Sequence, residues 1–129
     1  LLSTTTPILL SALKKGKKMY LLNAFSANML ADFPISVTFT EISAAAARLI
    51  LVGFEADGDS WESAVGHPDT ARVFESVLQD VVVPCNRVSL TLQAGDFAIL
   101  GQYSGPRLPE GATSLPEGAE IKWLLVQVG

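Results

Sequence analysis

The sequence predicts an α/β fold: one domain with a single mixed β-sheet flanked by helices. Strand-like and helix-like segments alternate between Met19 and Leu78, the order that yields strands joined by helical crossovers. Three strand-like runs then follow with no helical segment between them, which calls for antiparallel pairing in the same sheet. The chain has 129 residues, of which 49% are hydrophobic. That is enough for one real core but not for two.

Each element has a local reason. Met19–Asn23 is an apolar strand running into Ser26, whose hydroxyl suits the N-cap of a helical turn through Ala31. Pro34 closes that turn. Ile35–Glu41 then alternates, with Ile35, Val37 and Phe39 against Ser36, Thr38 and Thr40, as a half-buried strand does. Ser43 caps the alanine-rich run Ala44–Leu51, a helix by propensity. Asp57-Gly58-Asp59 is a turn, and Trp61–Val65 a short strand leading to Gly66-His67. Pro68–Leu78 is an amphipathic helix with Ala71, Phe74, Val77 and Leu78 on one face, its proline in the first turn where no N–H is missed. Arg87–Leu92 and Phe97–Tyr103 read as a hairpin through Gln93-Ala94-Gly95-Asp96. Leu108-Pro109-Glu110-Gly111 recurs as Leu115-Pro116-Glu117-Gly118: two copies, which reads as two successive turns and not as a solenoid. Ile121–Val128 is the last strand. Trp61, Phe74, Phe97 and Trp123 fit core positions.

Composition excludes several classes. No apolar run approaches the roughly 20 residues of a membrane span. Residues 1–18 read as a leader, a cloning remnant or a linker ahead of a domain over 19–129. In that segment an apolar stretch precedes Lys14-Lys15-Gly16-Lys17-Lys18, the reverse of a secretory signal. One cysteine, Cys85, cannot close a disulfide within the chain, which fits a cytoplasmic protein. One histidine and one cysteine leave a zinc site to carboxylates, so no metal and no cofactor are expected. Neither a G-x-x-x-x-G-K-[ST] nor a G-x-G-x-x-G run is present. From Met19 onward five basic residues face thirteen acidic ones, a net charge of −8, which disfavours duplex DNA as a partner.

The residues able to do chemistry are few. His67, the only histidine, stands at the mouth of the Pro68–Leu78 helix. Imidazole exchanges protons near neutrality, and a helix N-terminus offers unpaired N–H groups to a phosphate. A helix N-terminus disfavours the imidazolium, whereas a bound phosphate favours it. Asn23 and Ser26 follow the first strand, where ligands of open α/β sheets collect; an Asx turn with a helix cap explains them equally well. Arg107 lies in a loop after a strand, with Gln102 before it and Glu110 three positions on. Guanidinium is the natural phosphate partner, although a surface salt bridge in a turn accounts for the pair too. Arg87 is either a second phosphate contact or an exposed strand-edge arginine.

Taken together, Leu21-Leu22-Asn23-Ala24-Phe25-Ser26-Ala27-Asn28-Met29-Leu30, Gly66-His67-Pro68-Asp69-Thr70, Asn86-Arg87-Val88 and Arg107-Leu108-Pro109-Glu110-Gly111 resemble the viral anti-CRISPR and CRISPR-associated ring nucleases that degrade cyclic tetra-adenylate. The resemblance covers Met19 to Val128 and implies a homodimer that clamps the ring in a cleft and cuts it without metal. It assigns catalysis to His67, Arg107 and Glu110, and substrate binding to Asn23, Ser26, Arg87 and Gln102. The stretch Gln102–Arg107 holds one residue more than the viral pattern. Pro68 and the second Leu-Pro-Glu-Gly also depart from it, which points to a cellular branch.

The expected activity is therefore metal-independent cleavage into linear di-adenylate with 2′,3′-cyclic phosphate ends, ending type III CRISPR signalling. A ribose 2′-hydroxyl attacks its own phosphate, Arg107 steadies the charge, and His67 protonates the leaving 5′-oxygen. The alternative is a non-catalytic module that senses or sequesters the same messenger. An adaptor that shares only the fold is a third reading.

Overall fold

The computed structural model describes residues 18–56, 58 and 60–129. The segment expected as a leader, apart from Lys18, and both aspartates of the Asp57-Gly58-Asp59 turn lie outside the described residues. The elements in chain order are β1 (Met19–Leu22), a 3-10 turn (Ala27–Met29), β2 (Val37–Ile42), α1 (Ala44–Ala56), β3 (Glu62–Ala64), α2 (Pro68–Leu78), β4 (Phe97–Ser104) and β5 (Glu120–Val128).

The five strands form one mixed sheet in the order β2-β5-β4-β1-β3. β1 runs parallel to both neighbours, with Leu22 level with Ala64 of β3 and Leu100 of β4. β5 is antiparallel to β4 and β2, so it alone opposes the other four. The α/β class and the mixed sheet expected from the sequence are both present.

Both helices cover the same face. Ala46, Ile50, Leu51 and Phe54 of α1, with Ala71, Phe74 and Leu78 of α2, pack on Met19, Leu21, Ile99, Trp123 and Leu125. The opposite face (Tyr20, Leu22, Ala98, Leu100, Val126 and Val128) is covered by Phe25, Met29, Leu30, Ile35, Leu90 and Leu92, from irregular chain. The sheet is thus flanked by helices on one side only. The reason is local: the β1–β2 connection is broken up by Ser26 and Pro34 and holds only a single turn of 3-10 helix.

Most boundaries agree with the sequence to within a residue or two, α2 to the residue. Ser43 caps α1 through its Oγ, which accepts Ala46 N–H at 3.0 Å, but α1 continues five residues past Leu51. Phe74 and Trp123 are buried, and Trp61 and Phe97 pack on the core edge. The two Leu-Pro-Glu-Gly copies form the expected pair of turns. Ala112 N–H donates to Pro109 O and Ala119 N–H to Pro116 O, both at 3.1 Å. Gly111 and Gly118 supply the left-handed residue each turn requires, at φ 79° and 82°.

One expectation is overturned. Arg87–Leu92 is not a strand and forms no hairpin with Phe97–Tyr103; its sole ladder contact is an isolated bridge from Leu92 to Leu30. β4 already has β1 and β5 on its two sides, so alternation in Val88, Leu90 and Leu92 had no free edge to pair with. The real hairpin joins β4 to β5 through the long proline- and glycine-rich loop. Residues 81–92 instead cross from the end of α2 to the loop-covered face. They are tied down at Val83, whose N–H donates to Glu75 Oε2 (2.7 Å) and whose carbonyl accepts from Arg72.

Candidate functional site

The connections leaving β1 and β3 diverge. From β1 the chain passes over the loop-covered face, whereas from β3 it enters α2 on the helical face. Adjacent parallel strands whose connections part in this way leave a crevice at their C-terminal ends. The residues at that rim are Asn23 after β1, Val65-Gly66-His67 after β3, and Gln102 to Ser104 at the end of β4.

His67 occupies the N-cap of α2, with φ −128° and ψ 125°, and its side chain makes no capping bond. Its carbonyl accepts Ala71 N–H at 3.0 Å, so the main chain is fixed while the imidazole is exposed. Thr70, Tyr103, Arg107 and Leu108 share with it an open cavity of about 430 Å³. The Tyr103 hydroxyl donates to Pro106 O, which anchors the loop immediately before Arg107. Arg87 is tied to the connection that carries His67: its Nε donates to Gly66 O at 3.3 Å. His67 and Arg107 therefore share one cavity, and Arg87 is bonded to the residue before His67 without lining that cavity.

Asn23 and Gln102 converge separately. They line a cavity of about 450 Å³ together with Phe25, Phe39, Leu100 and Leu124. Asn23 also borders a smaller one, about 330 Å³, with Asn28, Ala64 and Ser89. Gln102 and Tyr103 are consecutive on β4 and point to opposite faces, so the two larger cavities open on either side of one strand end.

Two site residues are placed differently. Ser26 acts as the cap of the 3-10 turn, its Oγ accepting Asn28 N–H at 3.2 Å, which is the plainer of its two sequence readings. Glu110 lies exposed in the first Leu-Pro-Glu-Gly turn and is not among the residues lining the cavity of His67 and Arg107. Among the described residues, no cluster of three His, Cys, Asp or Glu side chains is placed to hold a metal. No helix among them is long and apolar enough to cross a membrane.

Sequence reasoning missed two residues. Asn86 substitutes for a strand along the outer edge of β3: its N–H donates to Val65 O at 2.8 Å and its Nδ2 to Ser63 O at 2.7 Å. It thereby holds the neighbouring Arg87 against Gly66. Lys122 is the cross-strand partner of Gln102 and is exposed at the same rim. The signal for it was present, since alternation puts Lys122 on the face of Leu124, Val126 and Val128, where a charge is out of pattern. Its significance emerges from the other cations. Arg48 is paired with Asp80 (3.4 Å) and Arg72 with Glu75 (2.9 Å). The remaining three basic residues from Met19 onward, Arg87, Arg107 and Lys122, all stand at the strand ends.

A family model described as STIV B116-like matches residues 19–124. Among solved structures the chain is similar to B116 of Sulfolobus turreted icosahedral virus. The two are 28% identical with a TM-score of 0.71, over 85% of this chain and 98% of that one. No curated protein matches the chain.

Proposed function

The chain belongs to the STIV B116-like family, and from its strand-end site we propose that it is a metal-independent ring nuclease acting on cyclic tetra-adenylate. The observation that carries this reading is the grouping of the only histidine with two arginines. His67 shares its cavity with Arg107, while Arg87 is hydrogen-bonded to the residue before it. One exposed imidazole beside two guanidinium groups is the minimum equipment for cutting an RNA phosphodiester whose nucleophile is its own 2′-hydroxyl.

In the proposed reaction the 2′-oxygen bonds to the adjacent phosphorus as the bond to the 5′-oxygen breaks. Arg107 and Arg87 take the charge that builds on the non-bridging oxygens. His67 gives its proton to the departing 5′-oxygen. The proton of the 2′-hydroxyl passes to solvent water, because Glu110 stands outside the cavity of His67 and Arg107, and Asn23 and Gln102, which line the neighbouring cavity, grip the ring. Two such cuts release linear di-adenylate with 2′,3′-cyclic phosphate ends, which would end a type III CRISPR signal. A two-fold homodimer presents each of these residues twice to a ring that has its own two-fold symmetry.

Labelled cyclic tetra-adenylate incubated with nanomolar protein and a chelator tests the proposal. The wild-type protein should cut, and His67→Ala should bind the ring yet cut about 100- to 10,000-fold more slowly. Tight binding without cutting by the wild type would replace the enzyme with a sensor or sequestering module. Neither binding nor cutting would end both readings.

A further inference from the structure

We infer that the cavity under Phe25 and Phe39 is an adenine subsite, in which Phe39 takes the face of the base while Phe25 braces that ring edge-on, amide side chains take the base's edge, and Lys122 the phosphate next to it. The inference rests on the ring-nuclease reading and adds to it residues with no part in the chemistry. Its starting point is Phe39, which is 47% exposed on the edge strand β2. The ring stands edge-on to Phe25, with centroids 5.4 Å apart and planes at 89°. Phe25 lies two residues beyond Asn23, so the aromatic corner is built into the connection that carries the site.

The cavity beside this corner has the composition of a base pocket. Leu100 and Leu124 form an apolar floor, and Asn23 and Gln102 supply the polar edge. At about 450 Å³ it falls within the roughly 300–1,000 Å³ of small-molecule sites. Aromatic side chains bind any base through its π-face. A carboxamide selects adenine, because its oxygen and NH₂ match the N6 donor and the N7 acceptor. Guanine presents an acceptor in place of that donor. Lys122 lies on the same face as the cavity, between Gln102, its cross-strand partner, and Leu124, two residues along β5. Among the described residues it has no ion-pair partner, so its ammonium is available to a phosphate.

Two measurements test this. With His67→Ala protein, to prevent turnover, Phe39→Ala should weaken cyclic tetra-adenylate binding by about 5- to 150-fold. Phe39→Tyr, which keeps the ring, should bind as the parent does. With otherwise native protein, Phe39→Ala should raise KM and leave kcat at saturation unchanged. The second measurement follows the Phe25 and Phe39 ring signals by NMR during titration of the native protein with adenosine 5′-monophosphate. They should move with it, move less with the guanosine and uridine monophosphates, and stay still with ribose 5-phosphate. Lys122→Gln should weaken the adenosine monophosphate interaction without altering this base order. The inference is overturned if the ring signals ignore adenosine monophosphate, or if Phe39→Ala changes only the oligomeric state. Because the titration needs no turnover, the subsite stands or falls on it even if cyclic tetra-adenylate is neither bound nor cut.

Discussion

Replacing Gly101 with alanine tests how the histidine is held against the sheet. A Cβ at this position would stand 2.6 Å from Phe74 Cζ and 2.7 Å from Trp123 Cζ3. Both rings lie in the core, with Phe74 0% and Trp123 3% exposed, and they pack on each other with centroids 4.9 Å apart. Neither can swing away without opening the core, so the added methyl must push α2 outward. Overpacking of this kind costs about 1–3 kcal/mol, and two ring atoms inside 3 Å place the expected cost at the upper end. For a domain of about 100 residues each kcal/mol lowers Tm by roughly 4–8 °C, so Tm should drop by at least about 10 °C. The consequence reaches the site as well, since Phe74 is on the helix that begins after His67 and Gly101 immediately precedes Gln102. Cleavage should therefore fall at a temperature where the variant is still folded. Calorimetry of the wild type, Gly101→Ala, Phe74→Leu and the double variant measures the coupling, and Phe74→Leu should be less harmful in the alanine background. A Tm within about 2 °C of wild type, or additive losses in the double variant, would refute the argument.

Three further predictions concern other links in the chain of cause. Asn86→Ala removes the side-chain bond to Ser63 O and should cost about 0.5–1.5 kcal/mol. By loosening Arg87 it should also weaken ring binding several-fold, whereas unchanged melting and unchanged binding together would deny Asn86 its role as an edge substitute. Burial, reinforced by Asp96 and Glu62, holds the Tyr20 phenol above its usual pKa of 10.0. The unfolded chain then loses this proton first, so stability is intact below about pH 10 and falls as pH rises toward the folded value. Tyr20→Phe should flatten that alkaline decline in a denaturant titration. Finally, binding of cyclic tetra-adenylate should weaken as salt rises, and Arg107→Ala should reduce the steepness of that dependence in fluorescence anisotropy.

The parts legible in the sequence were those with a local cause. The α2 boundaries followed from Pro68 at the first turn and the Ala71, Phe74, Val77, Leu78 stripe, and the two Leu-Pro-Glu-Gly turns followed from their glycines. Arg87–Leu92 misled because alternation reports one buried face and says nothing about a vacant sheet edge; β1 and β5 had already taken both sides of β4. The sequence understates the length of α1 because Gly53, a poor helix former, interrupts the run, whereas burial of Phe54 carries the helix past it. At the site, chain order alone could not place Asn23 with Gln102, nor His67 with Arg107, because parallel pairing of β1 with β3 and β4 brings them together. Lys122 escaped notice because its meaning depends on Arg48 and Arg72 being engaged by Asp80 and Glu75, which no spacing reveals.

On the proposed reading, charge also gives the site a selectivity. Three cations with no ion-pair partner among the described residues stand at one rim of a domain with a net charge of −8 from Met19 onward. The same rim carries acidic side chains. Glu41 is level with Leu124 and Glu120 with Ser104, while Glu110 and Glu117 occupy the two turns between β4 and β5. A duplex lying across this end would meet those carboxylates along with the cations, over lengths greater than the 8–10 Å at which salt screens charge. A compact ring could instead sit among Arg87, Arg107 and Lys122 and present little phosphate to the surrounding acids. On the proposed reading, the acidic balance that excludes duplex DNA is thus part of how the site chooses a small anionic ring, by penalising the larger competitor as much as by attracting the ligand.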